Sequence, residues 1–238
     1  MRNIRLHWPV RTSEENRALL AENDKPAANL LRERFSALWL RNFVNASAAD
    51  IETVWRAIEL NCVAAGRRYH NLDHVEHCLA EFDAAAAKTA QPDQVETAIW
   101  FHDVIYVPNA SDNEARSAAL FREAARGAAD CGFTDAVVAL ILVTTHRHTP
   151  TDPDQQLLCD IDLASFGATW ERYIKDSTGL REESTYSARD YIIRQRAFLQ
   201  RLLDRPRIFI TDFFYARYES RARANIHRYM ALLEQEQG

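Results

Sequence analysis

The chain is poor in the residues that punctuate turns. Of 238 residues, 6 are glycine and 7 are proline, and runs alternating apolar and polar residues are rare. That scarcity argues against a turn-dense β-sandwich or barrel. Cysteine is equally sparse: Cys62, Cys78, Cys131 and Cys159 are widely spaced and form no CxxC pair. A disulfide-stapled framework is not indicated, and reduced, mostly packed thiols in a cytoplasmic setting are expected. The longest apolar run, AVVALILV at 136–143, falls far short of the roughly 20 residues a membrane-spanning helix needs. The opening MRNIRLHWPVRTSEEN has no apolar run after its arginines, so no secretory signal is expected. An excess of positive charge is also missing. The formal net charge is −5 and the sequence pI about 5.9, which gives no electrostatic reason to expect a nucleic-acid polymer or a membrane surface as partner.

What the chain does have is helix-forming sequence. Segments with 3.6-type spacing follow one another at approximately 26–44, 49–66, 70–89, 92–106, 112–130, 134–147, 154–165, 168–177, 184–204 and 212–236. Pro92 opens one of them, SDNE at 111–114 reads as a cap with an acid in the first turn, and CGF (131–133), HTPTDPD (148–154) and STGL (177–180) read as breaks. The pattern predicts an all-α chain, and the short connections favour one domain over two. An N-terminal extension (1–25) precedes one helical domain (26–238), whose last helix docks on the rest.

Histidine is concentrated. Six of the eight histidines fall between positions 70 and 148. In YHNLDHVEH (69–77), His70 and His74 are four apart, a spacing that places both on one helix face, with His77 close to it. AIWFHDVIY (98–106) is apolar apart from His102 and Asp103, and LLCDIDLASFG (157–167) carries Asp160 and Asp162 in a similar setting. Acids in such contexts are costly to bury unless paired or bound to a metal. Taken together, the clusters offer nitrogen and oxygen donors from three helices, a set suited to a divalent ion such as Mn, Fe, Zn, Mg, Co or Ni.

The ordered pattern H…HD…D resembles the signature of the HD superfamily of metal-dependent phosphohydrolases, and Tyr69-His70-Asn71 followed by His74 is similar to the YHNxxH motif of cyclic-nucleotide phosphodiesterases within it. RRYHNLDHV (67–75), AIWFHDVIY, SDNEARSAA (111–119), TTHRH (144–148), DIDLASFG (160–167) and ESRARANI (219–226) resemble a bacterial branch of predicted HD phosphohydrolases, over most of residues 26–230. The resemblance implies a single HD-type multi-helix bundle with a central metal held by His74, His102, Asp103 and Asp162, the last preferred to Asp160. It also implies that His70 is the general acid and that the substrate is a small phosphate ester of unidentified structure, with a nucleotide-like compound the first expectation. Protonating a leaving oxygen suits a histidine, whose ordinary pKa is near 6.5.

Further residues carry alternatives. Arg67 and Arg68, just before His70, are candidates to hold phosphate or simply to solvate a helix, and Asn71 is a third candidate for substrate contact. Glu114 either orients the attacking water or caps its helix. His146 and His148 are two apart, so one helix cannot aim both inward. The Thr145-xx-His148 spacing is similar to a pattern of the family, so the resemblance favours His148, which with Asp160 is a candidate for a second metal or the shell behind the first. Two other functions stay open: an HD-type di-iron oxygenase, which the lack of histidine between 103 and 146 disfavours, and a non-catalytic metal- or nucleotide-binding sensor.

Overall fold

Local capping chemistry sets where the helices begin. In the computed structural model, which describes residues 26–44 and 46–236, Ser47 and Asp50 form a reciprocal capping box. Asn71, Asp130, Asp152, Thr169, Ser187 and Thr211 each accept a backbone N–H of the helix that follows. Each such cap satisfies a donor that the first turn would otherwise leave open. The expected extension, 1–25, lies outside the described residues.

Ten α-helices result among the described residues, with no strand. They are α1 (Pro26–Asn42), α2 (Ala48–Cys62), α3 (Leu72–Ala85), α4 (Pro92–Phe101), α5 (Asn113–Ala124), α6 (Cys131–Val143), α7 (Pro153–Leu163), α8 (Trp170–Glu183), α9 (Ala188–Leu203) and α10 (Asp212–Gln235). Short 3₁₀ segments follow α3 and α7 at Ala86–Lys88 and Ala164–Gly167. No helix among the described residues is long and apolar enough to cross a membrane. The four cysteines are free thiols, and only Cys131 is exposed.

Helix α4 is the axis of the bundle. Val95, Ala98, Ile99, Trp100 and Phe101 are all buried, and the helix packs against α1, α3, α5, α6 and α7. A helix buried on every side from Val95 to Phe101, with its buried Glu96 paired to Arg34 at 2.8 Å, lies in the middle of such an assembly. Aromatic rings from neighbouring helices close around it: Phe35 lies 5.6 Å from Trp100, Trp55 lies 6.0 Å from Trp100, and Phe121 lies 5.1 Å from Phe101. Edge-on and tilted pairs of this kind add about 0.5–1.5 kcal/mol each beyond the area they bury. Since α4 stops at Phe101, His102 and Asp103 sit at the C-terminal end of the most buried helix.

Several boundaries differ from the sequence expectation. Helix α3 begins at Leu72, so His70 lies in the loop before it rather than on its face. The cause is Asn71, whose Oδ1 accepts the N–H groups of Asp73 (2.9 Å) and His74 (3.3 Å). Helix α4 ends at Phe101 instead of near 106 because α5 captures the following backbone. Ser117 Oγ accepts from the Ile105 N–H at 3.0 Å, and Asn113 bonds both backbone groups of Val107 at 2.9 and 3.0 Å. CGF is a helix start, capped by Asp130. STGL is not a break: α8 runs through it to Glu183. Gly179 is there because the 68–69 loop crosses the helix, and a Cβ on it would stand 3.1 Å from the Arg68 carbonyl oxygen.

The C-terminal helix packs on three elements. Helix α10 packs on the Ala164–Gly167 segment, on α8 and on α9. Gly167 makes the first contact possible, because an added Cβ would overlap the Tyr218 ring, 2.7 Å from Cγ and 2.8 Å from Cδ1. Gly167→Ala should therefore destabilise the protein by roughly 1–3 kcal/mol through overpacking. An unchanged urea midpoint in the variant would show that this helix is seated less tightly than described.

Candidate metal centre

Four elements deliver side chains to one point. Helix α3 supplies His74 and, one turn later, Cys78; the end of α4 supplies His102 and Asp103; α7 supplies Asp162; the turn after α6 supplies His146. His74 Nε2 lies 3.2 Å from His102 Nε2 and 3.4 Å from Asp162 Oδ1. Asp103 Oδ2 is 3.1 Å from His102 Nε2 and 3.6 Å from His74 Nε2, while Asp162 Oδ1 is 3.6 Å from His102 Nε2. His74, Cys78, His102 and Asp162 form a group whose ligand atoms lie within 4.8 Å of one another, close enough to hold a metal ion. Donors bound to one ion at about 2.0–2.2 Å stand roughly 3–3.6 Å apart, which is the spacing between the two Nε2 atoms and from them to one oxygen each of Asp103 and Asp162; Asp103 is not part of the four-residue group. Cys78 Sγ is 3.7 Å from Nε2 and 3.9 Å from Nδ1 of His74. Being nearly equidistant from both nitrogens, the sulfur lies alongside the ring rather than ahead of the Nε2 lone pair.

The surroundings fix these orientations. His102 Nδ1 lies 2.9 Å from the Ile99 carbonyl, one turn back in α4. A bond donated there leaves Nε2 free for the cluster, as in histidines that bind metals. Asp162 is held from the other side, with Oδ2 2.7 Å from His146 Nε2. Burial works against a charged His102, yet Asp103 and Asp162 outweigh it and hold its pKa well above the usual value. Burial likewise opposes ionisation of Asp103 and Asp162, and the surrounding histidines overcome it, lowering both.

The direction of these shifts sets a pH dependence. A raised histidine keeps its proton at neutral pH when no ion is bound, so an ion entering the cluster must displace it. Metal affinity should therefore fall as pH drops, with about one proton released per ion near neutrality. Calorimetry in buffers of different ionisation enthalpy measures that number, and zero released protons would contradict this charge state. In the metal-free protein, the His102 contribution to stability is complete below the unfolded histidine pKa and is lost as pH rises through its raised value. The contributions of Asp103 and Asp162 are present above the unfolded carboxylate pKa and are lost as pH falls through their lowered values.

His70 stands at the edge of this cluster, its Nε2 3.8 Å from Asp103 Oδ2. Its Nδ1 is 2.5 Å from Glu183 Oε2, and its ring stacks on Tyr106 with centroids 4.0 Å apart. The other oxygen of Glu183 accepts the backbone N–H groups of Arg68, Tyr69 and His70 at 2.7, 2.7 and 2.9 Å. Burial opposes ionisation of Glu183, but the His70 ring and these N–H groups outweigh it and lower its pKa. Glu183 was not among the residues singled out from the sequence. Its only sequence signal is its place one helical turn after Gly179, where α8 is crossed by the loop that carries His70.

The remaining expected site residues have other surroundings. Arg67 NH1 donates to the carbonyls of His70 and Asp103, and NH2 to that of Val104, all at 2.7 Å. It thus ties the His70 loop to the turn after α4, a different job from holding phosphate. Arg68 is exposed and faces Glu182 at 3.9 Å. Asn71 is the α3 cap. Glu114 lies half-buried in the first turn of α5, and no described hydrogen bond or ion pair joins it to the cluster. Asp160 points away from Asp162, because residues two apart on a helix face nearly opposite sides. It accepts from the Ile210 N–H, the Thr211 N–H and Thr211 Oγ1 at 2.7, 2.7 and 2.6 Å, anchoring the start of α10. The histidine facing the cluster is His146, not His148, which is exposed. The helix has ended by then, and a left-handed φ of 51° at His146 swings its ring inward. No family model, curated protein or solved structure matches the chain.

Proposed function

We propose that the protein is a metal-dependent phosphohydrolase of the HD type, acting on a small phosphate ester. The observation that carries this reading is the pair of imidazole nitrogens with one oxygen each of Asp103 and Asp162 within 3.1–3.6 Å of them, bordered by half-buried His70 on buried Glu183. His74, His102, Asp103 and Asp162 would hold a divalent ion. Such an ion supplies charge stabilisation for phosphoryl oxygens and makes water a better nucleophile at neutral pH.

The protein's own residues supply the rest. Glu183 fixes the His70 ring through Nδ1 and Tyr106 packs on its face, so Nε2 presents its edge to the cluster side. From there His70 delivers a proton to the oxygen of the departing alcohol, the part of ester hydrolysis that charge neutralisation alone does not serve. Asp103 lies between the two functions, touching His102 on one side and approaching His70 on the other. Arg67 keeps that distance short by bonding the backbone on both sides of the gap. Elemental analysis of the purified protein, followed by turnover measurements on a panel of phosphate esters with and without added Mn, Fe, Zn, Mg, Co or Ni, tests the reading. A protein that retains none of these metals and hydrolyses none of the esters would overturn it.

A further inference from the structure

A cavity of about 590 Å³ opens beside the metal centre, lined among others by His146, Arg147, Phe198, Arg201, Asp204 and Arg205. Its size falls within the range of small-molecule sites. Its charge is unusual for this chain. Three guanidinium groups face one carboxylate in a protein whose formal net charge is −5. Most arginines of the described residues face a carboxylate within 4.0 Å. Here Arg147 donates to the Ser111 carbonyl at 2.9 Å and Arg205 to the His146 carbonyl at 3.1 Å, while Arg201 lies 5.8 Å from the Phe198 ring. No described ion pair joins any of the three to a carboxylate. Each keeps N–H donors free, and the guanidinium fork matches two oxygens of a phosphate.

The cavity and the cluster share a wall. His146 contributes its ring to Asp162 on one side, at 2.7 Å, and its carbonyl to Arg205 on the other. A molecule in the cavity is therefore one residue away from the carboxylate that joins His74 and His102.

We propose that this cavity binds an oxyanion of the substrate other than the one hydrolysed, so the preferred substrates are esters carrying a second phosphate or comparable anionic group. The assignment to substrate rests on the phosphohydrolase reading; the anion site itself does not. Two measurements on the full chain separate them. In the first, inorganic phosphate is titrated calorimetrically at low salt into the wild type, Arg147→Ala/Arg201→Ala, Arg201→Ala alone and Asp103→Ala. Binding should persist in Asp103→Ala, weaken in Arg201→Ala and weaken roughly tenfold or more in the double variant, as expected for loss of charged donors. Binding unchanged in both arginine variants, or lost in Asp103→Ala, would overturn the proposal. Arg201→Ala removes only an exposed side chain, so a folding defect in the double variant leaves the comparison intact. In the second, kinetics compare a nucleoside 3′,5′-bisphosphate with the matching 5′-monophosphate. The arginine variants should raise KM for the bisphosphate by roughly tenfold and leave the monophosphate nearly unchanged. Equal effects on both would refute a second-anion subsite. Phosphate that titrates into the cavity while neither ester is turned over would instead defeat the hydrolase reading and leave the anion site standing.

Discussion

Asp103→Ala is expected to lose bound metal and ester turnover together. Asp103 Oδ2 is the oxygen nearest to His102 Nε2, at 3.1 Å, and it also faces His74. Removing it takes away one of the two carboxylates that, among the described residues, lie close to both imidazoles. Loss of a group behind the ligands typically costs 10–100-fold in metal affinity, so loss of a ligand should exceed about 100-fold. Folding should survive, because the backbone carbonyl that Arg67 grips is unchanged. Elemental analysis after dialysis, alongside Cys78→Ser, separates the carboxylate from the thiol as the fourth donor. Full metal content in Asp103→Ala combined with loss in Cys78→Ser would place the sulfur in the coordination shell and defeat the assignment made above.

His70→Ala should behave differently, keeping its metal while turnover drops by roughly 10²–10⁴-fold, the range for removal of a general acid. The structural ground is separation of roles. His70 lies outside the cluster, in the loop before α3, with its Nε2 3.8 Å from Asp103 Oδ2. The loss should shrink on p-nitrophenyl phosphate, whose leaving group needs little protonation. Glu183→Gln should reproduce part of this effect and move the basic limb of the pH–rate profile, since it alters the partner of Nδ1 on the group that must stay protonated to act. A merely structural Glu183 would lower stability without moving that profile. Metal lost from His70→Ala, or equal impairment on activated and unactivated esters, would mean that the histidine serves the metal rather than the leaving group. His77 gives the contrast. Its ring is largely buried beside Glu81, and its Nε2 has no hydrogen-bond partner among the described residues. His77→Ala should leave both metal and turnover close to wild type.

Much of the fold was legible in the chain itself. Ten helical segments, the apolar seam of 98–106 and the docking of 212–236 follow from periodicity and from the scarcity of glycine and proline, because these are local properties. Asn71, Asp130, Asp152 and Ser187 set helix starts through bonds to residues two or three positions away, so their signals are local too. His102, Asp103, Asp160 and Asp162 stand out in the chain for a related reason: charged or titratable groups within apolar helical sequence need partners, whatever the fold; grouping His74 with them rests on the family resemblance.

What the tertiary structure decided was which groups meet across long stretches of chain. Glu183 reaches the 68–70 backbone from 113–115 positions away, and Gly179 prepares that approach by lacking a Cβ. Neither fact has a local signature, and STGL reads as a break until the crossing loop is seen. The choice between Asp160 and Asp162 follows from which side of α7 faces α3 and α4 and which faces the start of α10. The choice between His146 and His148 follows from one left-handed residue after the end of α6. Sequence spacing fixes how side chains are distributed around a helix. Only the packing of helices against one another fixes which of them look inward, because that orientation is set by contacts between residues far apart in the chain.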